Sequence, residues 1–220
     1  MTATLGLELA VVDLAGTTVS DPGVVEAAVR KVTGASFNQV VFKAHRGGSK
    51  LEMLQSLIGP EHAQEALTEF EGHILDAIES GAVEALPHAD EALARITSAQ
   101  MRVCLTTGFP TSIREALLKT LGWEQVVDLA LSPGPGCRGR PWPDLVLTAA
   151  LGLEATEMAA VAVVGDTAND IIAARRAGAG IAAAVLTGAN DRPALEAANP
   201  SHILDHIGHF ADLVTGVTTA

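Results

Sequence analysis

The chain has 220 residues, 48% of them hydrophobic and only 3% aromatic, with a formal net charge of −12. The length holds one domain with a sizeable insertion or two small ones, and the composition excludes a disordered chain and leaves Leu, Val, Ile and Ala to fill the core. The charge argues against a nucleic-acid or anionic-membrane partner, because a phosphate backbone repels such a surface; a small anionic metabolite stays compatible with a locally positive site.

In chain order, MTATLGLELAVVD lacks a basic leader and reads as a strand instead of a signal peptide. Within it, LELAVVDLAG is a short apolar run bounded by Gly, the pattern of a fully buried strand, with Asp13 near its end. From about residue 23 the period changes. VVEAAVRKVTG, SKLEMLQSLIG and PEHAQEALTEFEGHILDAIESG repeat apolar residues three and four apart and close on Gly, which predicts amphipathic helices. No strand is expected between residues 22 and 99, and Lys43 falls in a segment without a readable pattern. The β signal returns in MRVCLTTG and is followed by helix TSIREALLKTLGW, strand VVDLALS and helix PDLVLTAALGL. Strand MAAVAVVGDT, helix ANDIIAARRAGA, strands GIAAAVLTG and SHILDH, and helix IGHFADLVTG complete the series.

Apolar strands alternating with helices predict an α/β fold: a Rossmann-like parallel sheet with helices on both faces. The first strand belongs with the later ones, so the core is expected over residues 1–20 and 99–220, with 21–98 as an inserted α-helical cap. Two cysteines, Cys104 and Cys137, supply neither a disulfide framework nor a zinc spacing, which fits a reducing cytoplasm. No apolar stretch is long enough to span a bilayer uninterrupted.

Ligands on such a sheet sit beyond the carboxyl ends of the strands. Four signals fall there: Asp13 after VV, Thr106 after RVCL, Arg140 in GRPWPD, and the pair Asp166 and Asp170 in VVGDTANDI. A strand-end Asp can attack phosphorus and form an acyl phosphate, which splits one hard displacement into two easier ones. The transferred group is densely anionic, so the site must supply cations and donors. Mg²⁺ takes a few carboxylates plus substrate oxygens and water. Asp13, Asp166 and the Ala15 main-chain carbonyl suit that ion. Thr17 and Thr106, with backbone amides of the turn beginning at Gly16, suit phosphoryl oxygens, and Arg140 suits the charge of both steps. Asp170, four residues after Asp166, is placed to orient a metal-bound water or Arg140. Each signal alone has a plainer reading: an Asp after a strand is often a helix cap, Thr in TTG serves a turn, and GDTANDI supplies an N-cap and a first-turn acid. Their joint occurrence at strand ends favours a phosphoryl-transfer site.

DLAGTTV, LTTG, GRPWPD and VVGDTANDI resemble the four motifs of the haloacid dehalogenase superfamily, and the resemblance extends over the whole chain. It implies Asp13 as nucleophile, Mg²⁺ as cofactor, a helical cap closing over the substrate, and phosphate contacts from Gly16, Thr17, Thr106, Thr107 and Gly108. In phosphatases of that superfamily the residue two after the nucleophile is usually an Asp that protonates the leaving oxygen, an effect worth about 10²- to 10⁴-fold. Here it is Ala15. Either turnover is slow, another group compensates, or the leaving atom is not an alkoxide.

DLAGTTV also resembles the phosphonatase branch, the phosphonoacetaldehyde hydrolases, in which a cap Lys forms a Schiff base with the substrate aldehyde and an enamine leaves. RGGSKLEMLQSL resembles the cap segment carrying that Lys and places Lys50 there, with Arg46 as a neighbouring cation and substrate contact. A free Lys amine, pKa about 10.4, needs desolvation or a positive neighbour to act as a nucleophile. Lys50 also has plainer readings, as an exposed helix-opening residue or a cation that only holds substrate. Arg46, Met53 and Phe109 depart from the Met, His and Tyr of the phosphonatase pattern, so the substrate is open between phosphonoacetaldehyde, a related phosphonate and a small phosphate ester. A phosphate-metabolite binding protein without turnover is the alternative from another class. The branch resemblance carries with it a homodimer formed through the cap. Phe42 and Met53 suit either the pocket or the core; His45, near Lys50, reads as a surface residue, and His202, His206 and His209 make no metal set.

Overall fold

The structure, a computed structural model, describes residues 6–216. The reading of the first five residues as strand rather than leader lies outside that range.

Six parallel strands form one sheet in the order β3-β2-β1-β4-β5-β6. They are β1 Leu9–Asp13, β2 Arg102–Thr106, β3 Leu129–Leu131, β4 Val161–Gly165, β5 Ile181–Val185 and β6 His202–Leu204. Every residue of β1, β4 and β5 is buried, as a parallel strand covered on both faces requires. Leu9 and Val11 face a layer made by Val146, Ala149, Ile171, Ala174 and Leu195. Ala10 and Val12 face the other layer, with Leu93, Ile96, Ile113, Ile207 and Phe210. Burying one Val side chain contributes about 1.5–3 kcal/mol, so the continuous apolar runs hold the sheet centre.

Helices α1 Val24–Thr33, α2 Gln39–Ala44, α3 Lys50–Ile58 and α4 Pro60–Glu79 lie between β1 and β2. They pack on one another, and α4 also touches α6 (Thr111–Leu121). Helix α5, Ala89–Ser98, packs instead on α10 (Ile207–Thr215) and β2, and Arg95 pairs with Asp212 at 2.5 Å. Helices α7 Asp144–Gly152, α8 Ala168–Ala177 and α9 Arg192–Ala197 complete the second layer. Besides α5, which falls inside the cap expected from sequence without a helix named there, α2 and α9 have no counterpart in the sequence pattern. Each has six residues, too few to show a period, and each is started by a side-chain cap, from Asn38 and Asp191. The third strand is shorter than VVDLALS suggests, because the Val126 and Val127 amides bond to the Trp123 carbonyl and continue the turn after α6. Among the described residues no helix is long and apolar enough to cross a membrane.

Register places the chemistry. Asp13 pairs with Thr106 across β1 and β2, and Val12 with Val164 across β1 and β4. Asp13, Thr106 and Asp166 therefore emerge together at the carboxyl rim, where β1 and β4 form the switch point of a doubly wound sheet.

Three imidazoles cluster where α5 and α10 begin. His88 and His206 lie 4.3 Å apart between ring centroids, and His206 and His209 4.0 Å. Burial first, then His209 and His88, hold His206 below its ordinary value of 6.5 against the pull of Asp205 and Asp212. The folded protein thus binds fewer protons than the unfolded chain, so the contribution is complete above pH 6.5 and is lost as the pH falls through the lowered value. Melting curves between pH 8 and 5 are expected to show a steeper acid loss for the wild type than for His206→Asn, which retains a capping acceptor for the Gly208 amide. Parallel curves would contradict this.

Candidate active site

Asp13, at the tip of β1, is 4% exposed, and its Oδ1 accepts a 2.6 Å bond from Arg140 Nη1. The same nitrogen lies 2.7 Å from Asp170 Oδ1, while Nη2 donates to Thr106 Oγ1 at 2.8 Å. A buried guanidinium with its fork shared between two carboxylates and a hydroxyl is fixed in place. Burial would lower the Arg140 pKa, but the charges of Asp13 and Asp170 outweigh it and leave the group above its ordinary value. Asp170 serves two structures at once. Its Oδ1 faces Arg140, and its Oδ2 accepts from the Thr167 amide, forming a capping box with Thr167 at the start of α8. Asp170 is thus both the acid of the α8 capping box and an ion partner of Arg140.

Asp166 lies beyond β4. Its Oδ2 accepts from the Ala189 amide at 2.6 Å, and its Oδ1 is buried without a protein partner. Gly16 and Gly188 crowd the carboxylate so closely that a Cβ at either would overlap it, which explains glycine at both positions. Asp13, Asp166 and Asp170 each bring an oxygen within 4.8 Å of the others. Burial, then the neighbouring carboxylates, push Asp166 well above the usual range; burial pushes Asp13 up to about 6 against the pull of Arg140. When all three carboxylates are ionised, Arg140 and a charged Lys50 balance two of them and one negative charge is left over. An orphaned, buried Asp166 oxygen within an all-oxygen donor set fits a hard divalent cation, with Asp13 and Asp166 as the side chains free to hold it. Asp170 has both oxygens engaged.

A cavity of about 270 Å³ opens over this cluster, lined by Asp13, Ala15, Gly16, Asp166, Thr107 and Gly108 from the core and by Phe42, Arg46, Lys50 and Met53 from the inserted helices. Arg140, Thr106, Thr17 and Asp170 are not on its wall. Thr17 Oγ1 is buried without a hydrogen-bond partner. The Gly16 and Thr17 amides are engaged inside the turn, with the Val19 and Leu14 carbonyls. Lys50 is 6% exposed, so its position at the first turn of α3 is not the solvated one such a residue usually takes. Its Nζ donates to the Gly48 carbonyl at 3.3 Å and sits 5.0 Å from the centre of the Phe109 ring. Burial, aided by the Arg140 charge and opposed by Asp13, lowers its pKa to about 8. Roughly one such amine in ten is neutral at pH 7, against fewer than about one in a thousand for an ordinary Lys.

Docking of the loop at residues 46–49 against the core achieves this burial. The Lys50 amide donates to the Gly108 carbonyl at 3.1 Å, and Arg140 Nη1 to the Gly47 carbonyl at 3.1 Å. A Cβ at Gly108 would overlap the Gly48 carbonyl. Arg46 donates to the Ala189 carbonyl at 3.1 Å and pairs with Glu26 at 3.6 Å. Lys43 is exposed, and His45 is half-buried and off the cavity wall. Cys104 is buried, which pushes its thiol up to about 12 and leaves it inert. Asp21, Glu26 and the 187–189 turn also line the cavity; no sequence signal marks them, because long-range packing brings them there.

The switch-point location and the carboxylate cluster define a ligand site on a doubly wound α/β sheet. Residues 7–178 match the family described as haloacid dehalogenase-like hydrolase, and the chain belongs to that family. A hydrolase from Pseudomonas syringae superposes with a TM-score of 0.84 at 23% identity, over 96% of this chain and 100% of that one. A predicted phosphoglycolate phosphatase from Haemophilus somnus gives 0.77 at 16%, over 97% and 99%. A phosphonoacetaldehyde hydrolase-like protein from Oleispira antarctica gives 0.77 at 17%, over 97% and 96%. At such identities the likeness is one of fold. No curated protein matches the chain.

Proposed function

We propose that the protein is a Mg²⁺-dependent hydrolase of the phosphonatase type, cleaving the carbon–phosphorus bond of phosphonoacetaldehyde or a related small 2-oxo phosphonate. One observation carries this reading: a buried amine of lowered pKa, Lys50, shares a single small cavity with Asp13, while position 15 holds Ala. The inserted helices α1–α4 act as the cap. Because α5 packs on α10, we place the cap boundary near Leu86, short of the 98 read from sequence.

The neutral Lys50 amine adds to the substrate carbonyl and, with uptake of one proton from solvent and loss of water, gives a protonated imine; that proton returns to solvent when water later frees the amine. An Asp13 carboxylate oxygen attacks phosphorus as the carbon–phosphorus bond breaks. That electron pair moves into the carbon framework and leaves an enamine, so no alkoxide needs a proton from position 15. Protonation at carbon and addition of water release the aldehyde and free Lys50. A second water hydrolyses the aspartyl phosphate and returns Asp13 and phosphate. Asp13, Asp166 and the Ala15 carbonyl would hold Mg²⁺, which supplies positive charge to the phosphoryl oxygens. Arg140 holds Asp13 in line, Asp170 and Thr106 hold Arg140, and the Thr107–Gly108 turn on the cavity wall is the part of the core that meets the phosphoryl group.

Arg46 and Lys50 on one wall also suit a phosphatase of small phosphate esters, with Lys50 as a binding cation; its lowered pKa still leaves most amines charged at pH 7. The pH profile separates the two. The imine route needs the neutral amine, so phosphate release from phosphonoacetaldehyde is expected to rise with pH to a plateau, with a midpoint of about 8. Release that falls through that midpoint would favour the binding cation. A binding protein without turnover would release no phosphate at any pH.

A further inference from the structure

The segment that leads from β4 into α8 makes two sets of contacts. Asp166, before the Thr167 cap, and Asp170, in the first turn, belong to the carboxylate cluster, and Asn169 reaches the inserted segment. Its Nδ2 donates to two main-chain carbonyls of the inserted segment, Ala44 at 3.1 Å and Arg46 at 2.7 Å. Beside it, Gly47 sits so close to the Thr167 side chain that a Cβ there would overlap the hydroxyl. Of the core groups that fasten this loop, Arg140 also binds Asp13, and the Gly108 carbonyl is main chain. Among the described residues, Asn169 is therefore the core side chain that donates to this loop without bonding to the reacting cluster.

We propose that Asn169 is a positioning residue: by clamping the carbonyls of Ala44 and Arg46 it docks the loop that carries Lys50 onto the helix start that carries Asp170 and follows directly on Asp166. The role rests on the reading of Lys50 as the substrate-handling amine. Two converging donations to one loop, from a half-buried residue at a helix start, fix its height over the core. With the clamp gone, Arg46 and Lys50 lose their fixed distance to Asp13, and misplacement of about 1 Å can cost on the order of 10²-fold in rate.

The test uses the full chain with Mg²⁺ and three variants. Asn169→Ala removes the donors, Asn169→Asp replaces the donating nitrogen with an acceptor and adds a second first-turn acid, at the helix end that favours negative charge, and Asn169→Gln retains the donors on a longer arm. The Ala and Asp variants are expected to melt with the wild type. Amide exchange in residues 44–50 should run about tenfold faster, with α8 unchanged, and kcat/KM for phosphonoacetaldehyde should fall about tenfold. Asn169→Gln should recover part of both. Wild-type exchange in that segment would overturn the role, and so would faster exchange with wild-type kinetics. If the wild type fails to cleave phosphonoacetaldehyde, the Lys50 reading is lost, and exchange in residues 44–50 still decides whether Asn169 clamps the loop.

Discussion

Asp13→Asn is expected to remove Mg²⁺-dependent phosphate release from any substrate, by about 10⁴-fold or more, and to leave the protein at least as stable. The amide keeps the size of the carboxylate and can still accept from Arg140, but it cannot form an acyl phosphate. The stability sign follows from burial. The Asp13 carboxyl is held at about 6, above its ordinary 3.8, so the folded state binds more protons than the unfolded chain and ionised Asp13 opposes folding above that range. Asn removes the penalty. Melting in chelator at neutral pH and phosphate release with Mg²⁺ give the two readings. A variant that loses activity by unfolding, or one that keeps its activity, would contradict the assignment of Asp13.

Lys50 carries the second large effect. Lys50→Arg keeps a cation on the same stem but cannot form an imine, and Lys50→Met keeps length without charge. For carbon–phosphorus cleavage both are expected to fall by about 10³-fold or more. For p-nitrophenyl phosphate, whose leaving group needs no imine, Lys50→Arg should stay within about tenfold of the wild type. Were Lys50 a binding cation only, Arg would preserve both reactions and Met would weaken both.

Much of this site is legible because its chemistry sits at the ends of buried strands. VV before Asp13 and VVG before Asp166 mark both the strand and the point where ligands gather, and the parallel register then brings the two acids together. The pairing of Asp13 with Arg140 joins residues 127 positions apart, and only the order of motifs along the chain hints at it. The burial of Lys50 leaves no local trace. Its surroundings read as an ordinary helix start, and the low exposure arises from Gly47, Gly48 and Gly108 letting two backbones meet. Asn169 is hidden for the same reason: its partners are main-chain carbonyls more than a hundred residues away. Short capped helices such as α2 and α9 are lost for another, since six residues carry a cap but no period.

The central claim is that Lys50 and Asp13 act on one substrate in one cavity. Borohydride reduction in the presence of phosphonoacetaldehyde, followed by peptide mass mapping, tests it most directly. The expected result is a reduced two-carbon adduct on Lys50 and on no other amine, with turnover lost in proportion. Active enzyme that gives no adduct, or an adduct spread over exposed lysines such as Lys43, would contradict it.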